Sequence, residues 1–334
     1  MQKFNIKFIK KYVLFFILSC FTILAGCSTP FPREPLSQTG FYFDTVITVT
    51  VYDHGSEELL DQCMELASYY ENLLSPYIEG SDIWNVNHNN GSFVTVDEET
   101  LSLLKTALSY AELSDGLVDP SIGTLSQLWN FGSDNQKIVP GKEQIDEALA
   151  YVDYGALEIR NGQVMITKPG IQIDLGFIAK GFIGDRMKEF LSSKGVASAL
   201  INLGGNVVIL GSKPDGSPFR IGIQEPFAPS GICALTLDLS DISAVSSGNY
   251  ERYFEKDGIL YHHILSTETG YPAQSSLTQV TILSPSSVDG DALSTLCYIL
   301  GYEKAVQLLK NYPDIQAVFI TEDGDILYEN FPSA

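Results

Sequence analysis

Positive charge is scarce in this 334-residue chain: 20 lysines and arginines stand against 41 aspartates and glutamates, for a formal net charge of −21. Four of the lysines, Lys3, Lys7, Lys10 and Lys11, lie at the extreme N-terminus. Without residues 1–26, which hold those four lysines and no acid, the charge falls from −21 to −25. A surface this acidic repels phosphate backbones and argues against nucleic acid as a partner. It also means that an anionic ligand needs a local remedy, such as a metal ion or a helix N-terminus. Cysteine is scarce too, with five in the chain. Cys20 and Cys27 belong to the N-terminal segment, and Cys63, Cys233 and Cys297 are far apart. An odd count without short spacings excludes a disulfide framework or a zinc site, so these three are expected as buried free thiols. No apolar run is long enough to span a bilayer. Tyr12 to Ala25 covers 14 residues, whereas a spanning helix needs about 20.

That short run has a different use. A basic start, a brief apolar core and the closing "LAGC", Leu24 to Cys27, describe a secretory signal. The cysteine at the cleavage point makes it a lipoprotein signal, with Cys27 carrying a diacylglycerol as the first mature residue. An uncleaved anchor with an incidental cysteine suits neither the length nor the flanks. The expectation is a signal peptide over 1–26, a lipidated Cys27 and tether over 27–39, and one domain over 40–334. The protein would be held on the extracytoplasmic face of a bacterial cell membrane. Three prolines between Thr29 and Gln38 support the tether. Beyond it there is no linker, repeat or low-complexity stretch.

The domain mixes strands and helices. "FYFDTVITVTVYD" alternates, is rich in β-branched residues and predicts one strand. Ser56–Leu74 carries a helical stripe of Leu59, Leu60, Cys63, Met64, Ala67, Tyr70 and Leu74. Helices are also expected over Glu99–Leu113, with Gly116 just beyond, and over Ile178–Ser193, ended by Gly195. Strands fall near Leu157–Thr167, and short strands and turns fill Ala197–Leu283. Helices follow over Gly290–Leu300 and Glu303–Leu309, then the strands "IQAVFI" and "DILYEN". Helices in clumps between hairpin-like strands indicate an α+β fold with a largely antiparallel sheet.

Five stretches carry more polar and glycine content than a core requires. "SDGLVDPSIGTLSQLWNFG" (Ser114–Gly132) offers two turns and the aromatics Trp129 and Phe131; it suits either a ligand loop or one that caps helices. "IDLGFIAKGF" (Ile173–Phe182) puts Asp174 at the end of an apolar run that reads as a strand, and Lys180 and Gly181 in the first turns of a helix. Such a start can hold an anion or expose a carbonyl, and Asp174 equally suits an N-cap. "INLGGNVVIL" (Ile201–Leu210) is a hairpin around Gly204-Gly205, or a place where a ligand approaches backbone closely. In "VSSGNYERYFEKDGILYHHILSTETGYPA" (Val245–Ala273), His262 and His263 are adjacent, so in a strand they face opposite sides and only one can line a site. In "SPSSVDGDALSTLCYILG" (Ser284–Gly301), Asp291 and Thr295 share a helix face. With a backbone carbonyl and phosphate oxygens they would make an all-oxygen site suited to Mg²⁺. The alternative is that Asp289 and Asp291 stabilise a helix N-terminus.

Taken in order, "DGLVDPSIG…LWNFG", "IDLGFIAKG", "INLGGN", "SSGNYERYF", "HILSTETGYP" and "DALSTLCYILG" make this chain resemble the ApbE family of FAD:protein FMN transferases. The resemblance runs from about Gly40 to the C-terminal strands. It implies a T-fold-like α+β domain that binds FAD and Mg²⁺, cleaves the pyrophosphate and releases AMP. FMN is attached through its phosphate to a threonine or serine of an acceptor flavoprotein. The acceptor would be the flavin-carrying subunit of a membrane redox complex or a surface protein with an FMN-binding domain. By the same resemblance Asp174 and Lys180 contact FAD, and Phe43, Tyr77, Leu117, Val118 and Asp119 line its pocket. The carbonyl of Phe177 and the side chains of Asp291 and Thr295 hold the metal, and His263 assists proton removal from the acceptor hydroxyl. Two departures stand out: Ser266-Thr267-Glu268-Thr269-Gly270 replaces the family's Asp-Pro-Arg-Thr-Gly, and Phe43-Asp44-Thr45 replaces a common Met-Gly-Thr. A Mg²⁺-dependent FAD pyrophosphatase and a non-catalytic flavin-binding lipoprotein are the alternative functions.

Overall fold

Eight alternating, β-branched segments pair side by side into one antiparallel sheet. The structure, a computed structural model, describes residues 34–331 apart from residues 90 and 133–136. The expected signal peptide and the lipidation site Cys27 lie outside the described residues. In chain order the strands are β1 (Leu36–Tyr42), β2 (Thr45–Val51), β3 (Val94–Thr95), β4 (Leu157–Arg160) and β5 (Gln163–Ile166). Then come β6 (Ser198–Leu203), β7 (Asn206–Gly211), β8 (Phe219–Gln224), β9 (Cys233–Leu239) and β10 (Ser243–Gly248). The last are β11 (Tyr253–Lys256), β12 (Ile259–His262), β13 (Leu277–Ser284), β14 (Gln316–Thr321) and β15 (Ile326–Glu329). The helices are α1 (Glu57–Leu74), α2 (Asp82–Asn87), α3 (Glu98–Leu113), α4 (Gly123–Trp129), α5 (Lys142–Leu149), α6 (Ala179–Ser193) and α7 (Ser287–Leu309). The main sheet runs β1-β2-β6-β7-β10-β13-β14-β15, so the fold is α+β and the sheet antiparallel, as the pattern indicates. Among the described residues no helix is long and apolar enough to cross a membrane.

Alternation decides what each face meets. On β7, Val208 points to α6 while Ile209 joins Phe219 and Ile221 of the β8–β9 hairpin on the other side. The strand between, β13, is buried along its whole length. Each apolar side chain so enclosed contributes about 1.5–3 kcal/mol. The stripe of α1 is buried as its spacing indicates, and Ser56 caps the helix by accepting the Leu59 N–H. The expected helices near the C-terminus are both present, joined end to end in α7, where Gly301 leaves helical geometry at φ 71°.

Three expectations need correction. The single strand over 41–53 is a hairpin: Phe43 and Asp44 both take positive φ (54° and 55°) and reverse the chain between β1 and β2. That is the twist-matched two-residue turn, made here without the glycine or asparagine that signals it in a sequence. Consequently β1 takes in residues 36–39, which composition had assigned to the tether. Cys63 and Cys297 are buried, but Cys233 is exposed, because it begins a strand of a two-stranded hairpin that is wet on one face.

Candidate active site

The site is built where α6 and α7 cross. Gly181 allows the approach. A Cβ there would lie 2.7 Å from Val288 Cα and closer still to the Ser287 carbonyl oxygen. Asp185, one turn further along α6, accepts the N–H groups of Ser287 (2.8 Å) and Val288 (2.9 Å) and ties down the start of α7. Ser286 caps α7 by accepting the Asp289 N–H at 3.3 Å. The Asp289 carboxylate, read from sequence as a dipole partner, accepts the Tyr110 hydroxyl at 2.7 Å.

With the helices held this way, Asp291 points at the first turn of α6. Its Oδ2 accepts the Gly181 N–H at 2.8 Å, and its Oδ1 lies 3.3 Å from Lys180 Nζ. Asp291 is 2% exposed. Burial raises its carboxyl above the usual range, with Lys180 and the Gly181 amide pulling the other way. Gly181 lies in the first turn of α6, so its amide is one of the helix's unpaired N-terminal donors, and Asp291 satisfies it. Phe177 precedes the helix, so its carbonyl has no partner within α6. Thr295 stands one turn along from Asp291, its hydroxyl 3.2 Å from Ser247 Oγ. Carboxylate, hydroxyl and a backbone carbonyl are the donor chemistry that Mg²⁺ takes, and the donor set fits that ion. Among the described residues no group of three His, Cys, Asp or Glu side chains could hold a metal.

Asp174 differs from its sequence reading. No strand ends there and it does not cap α6; its Oδ1 accepts the Gly176 N–H at 2.8 Å and shapes the turn before the helix. Its own N–H bonds the carbonyl of Pro120, and Gly123 N–H bonds Gln172 O. Two of the five stretches are thereby joined. A third joins through Thr267, whose hydroxyl donates to Gly116 O at 2.7 Å, and through Trp129 Nε1, which donates to Gly270 O at 2.8 Å. In that loop Leu117 is half-buried and Val118 buried. Asp119 is buried as well, and its carboxylate is spent inside the loop on Ser121 and on the Tyr154 amide. Trp129 and Phe131 stack in a satellite core with Phe254 and Tyr261, which is the structural role. "INLGGN" is the β6–β7 hairpin, and a Cβ at Gly204 would meet Thr45 at the foot of β2.

The two histidines part as the alternation requires. His262 ends β12 and is buried, Nε2 at 3.2 Å from Ala273 O and its ring edge-on to Tyr298. Burial pushes it down to about 4. His263 lies just past the strand, half-buried, its N–H donated to Arg252 O at 3.0 Å. Its Nδ1 is buried without a protein partner. Burial, then the charges of Arg252, His262 and Lys180, push His263 down to about 3. Phe43 donates its N–H to Glu71 Oε1 at 2.6 Å, and Arg252 donates to Asp44 O at 3.1 Å, which together hold the left-handed turn. Tyr77, just beyond α1, is 68% exposed.

Glu251 is a residue that sequence reasoning missed. The residue is exposed, and surrounding protein, with Asp291 adding to it, pushes its carboxyl up to about 7 against the pull of Lys180 and Arg252. Its charge therefore belongs to the same electrostatic neighbourhood as Asp291 and Lys180. The signal was present in "SSGNYERYF", where Glu251 and Arg252 follow a glycine turn.

An antiparallel sheet with two crossing helices, whose junction holds one buried acid against one lysine, makes this an α+β protein with its polar cluster at the helix crossing. The chain belongs to the ApbE family, whose profile matches residues 43–319. It is 38% identical over 280 residues to a Treponema pallidum FAD:protein FMN transferase, covering 79% of this chain and 77% of that protein. A Klebsiella pneumoniae protein of the same name is 37% identical over 284 residues, with 84% and 87% covered. Among solved structures, an ApbE protein from Thermotoga maritima superposes with a TM-score of 0.81 at 33% identity, covering 89% of this chain and 97% of its own. The flavin transferase ApbE from Vibrio cholerae gives 0.79 at 25% identity, covering 88% and 96%.

Proposed function

We propose that this protein is an FAD:protein FMN transferase that moves FMN from FAD to a serine or threonine of an acceptor flavoprotein and releases AMP. The observation that carries the reading is the crossing of α6 and α7, which brings the Lys180 ammonium and the Gly181 amide onto the buried Asp291 carboxylate. Asp291, Thr295 and the Phe177 carbonyl would hold Mg²⁺, which when bound supplies charge neutralisation for the pyrophosphate. In an acidic protein that neutralisation is indispensable. Lys180 adds a positive charge for the phosphates. Asp174, Phe43, Tyr77 and the Leu117–Asp119 loop form the FAD pocket, Asp119 by shaping the loop.

In the transfer, the acceptor hydroxyl oxygen bonds to the FMN-side phosphorus as the bond to the AMP oxygen breaks. The hydroxyl proton goes to His263. With its pKa held low, His263 is neutral throughout the physiological range and ready to accept. So weak a base holds and orients the hydroxyl, and takes the proton late. That suits phosphoryl transfer, where the transition state is loose and positioning matters most. The protein acts as a lipoprotein anchored through Cys27 at the outer face of the cell membrane, facing membrane redox-complex subunits or surface flavoproteins. Incubation with FAD, Mg²⁺ and an FMN-binding-domain acceptor tests this: the acceptor should gain the mass of FMN less one water. Free FMN and AMP with an unmodified acceptor would instead establish a pyrophosphatase.

A further inference from the structure

The ammonium group of Lys180 stands where a cation would be wanted. It lies 3.3 Å from Asp291 Oδ1 and 3.4 Å from the carbonyl oxygen of Gly176. The other carboxylate oxygen, Oδ2, is already taken by the Gly181 N–H. Oδ1 is therefore the oxygen that Asp291 has to offer, and Lys180 is on it. A carboxylate this buried is costly to leave unpaired, so the lysine has a job in the fold as well as in the site. Its side chain is 30% exposed against 3% for Asp291. Four methylenes and an open side leave the ammonium able to swing away, while the acid stays fixed by α7.

We infer that Lys180 is a built-in competitor for the metal: it neutralises Asp291 until a pyrophosphate draws it off, so that metal and nucleotide enter together. This rests on the metal reading above. A divalent ion at Oδ1 and an ammonium on the same oxygen repel each other, so one must leave. The anionic phosphates attract the lysine and supply further oxygens, and among the described residues no group of three His, Cys, Asp or Glu side chains offers the metal a site without them. The lysine thereby makes metal binding conditional on the nucleotide, a coupling between two ligands that must be reciprocal.

The test uses full-length protein and Mn²⁺ as the probe, its binding read by electron paramagnetic resonance with and without ADP, which carries a pyrophosphate and cannot donate FMN. Wild type should bind Mn²⁺ weakly alone and more tightly with ADP. Lys180→Met should bind Mn²⁺ alone roughly tenfold tighter, and ADP should then improve it much less. Lys180→Arg, which keeps the charge, should behave as wild type. Lys180→Gln replaces the methionine variant if that one does not fold. Mn²⁺ binding by Lys180→Met no tighter than wild type, while Asp291→Asn abolishes binding, overturns the competitor role and leaves the metal site standing. Wild-type Mn²⁺ binding by Asp291→Asn overturns both.

Discussion

Replacing Gly181 by alanine adds one methyl group where α6 meets α7. The new carbon would sit 2.7 Å from Val288 Cα and from the Ser287 carbonyl carbon, where carbon atoms rest at about 3.5–4.0 Å. The helices must part by roughly 1 Å to admit it. They cannot do so freely, because Asp185 of α6 grips the Ser287 and Val288 amides of α7. Overpacking of this kind costs about 1–3 kcal/mol. Helix propensity works in the other direction, favouring alanine by up to about 1 kcal/mol. The net expectation is a loss of about 1–2 kcal/mol, measured as a lower urea midpoint at unchanged slope. The functional loss should be larger in proportion. Asp291 rides on α7 and the Phe177 carbonyl precedes α6, so parting the helices spreads the proposed metal ligands, and a 1 Å misplacement costs on the order of 10²-fold in rate. A Gly181→Ala protein as stable as wild type, as helix propensity alone would give, with an undiminished FMN-transfer rate, would refute the close-approach argument.

His263→Ala should lower the transfer rate by roughly 10²–10⁴ with little change in FAD affinity, whereas His262→Ala should act mainly through stability; a larger rate loss for His262→Ala would mean that the pair is assigned the wrong way round. Acid should destabilise the fold through His262. Its pKa falls from 6.5 to about 4 on folding, so the unfolded chain binds the proton first. Stability is whole above 6.5 and declines as pH drops toward 4, by about 3 kcal/mol for this group. Urea midpoints at pH 7 and pH 4.5 should differ less in His262→Phe, and an identical drop in both proteins would assign the acid sensitivity elsewhere. Cys27→Ser should leave the precursor uncleaved and without lipid; recovery of that variant as a processed, membrane-bound lipoprotein would show that the N-terminal segment has been misread.

The primary structure alone determined the elements whose signals are local. The stripe of α1 is periodic over five turns, and burial follows it residue for residue. The Gly204-Gly205 hairpin and the α+β class are equally local, since each depends on neighbours a few residues apart. The order of the polar stretches was enough to point to the ApbE family, because that order is a property of the chain. The tertiary structure alone decided what depends on approach. The Phe43-Asp44 turn has neither glycine nor asparagine and is held from outside by Glu71 and Arg252. Nothing local tells that Gly181 meets the carbonyl of Ser287, more than a hundred residues away, or that its amide is taken by Asp291. The low pKa of His263 and the raised one of Glu251 likewise belong to their surroundings, because burial and distant charges set them. Those surroundings exist only once β11 and β12, the two helices and the loops have been packed together.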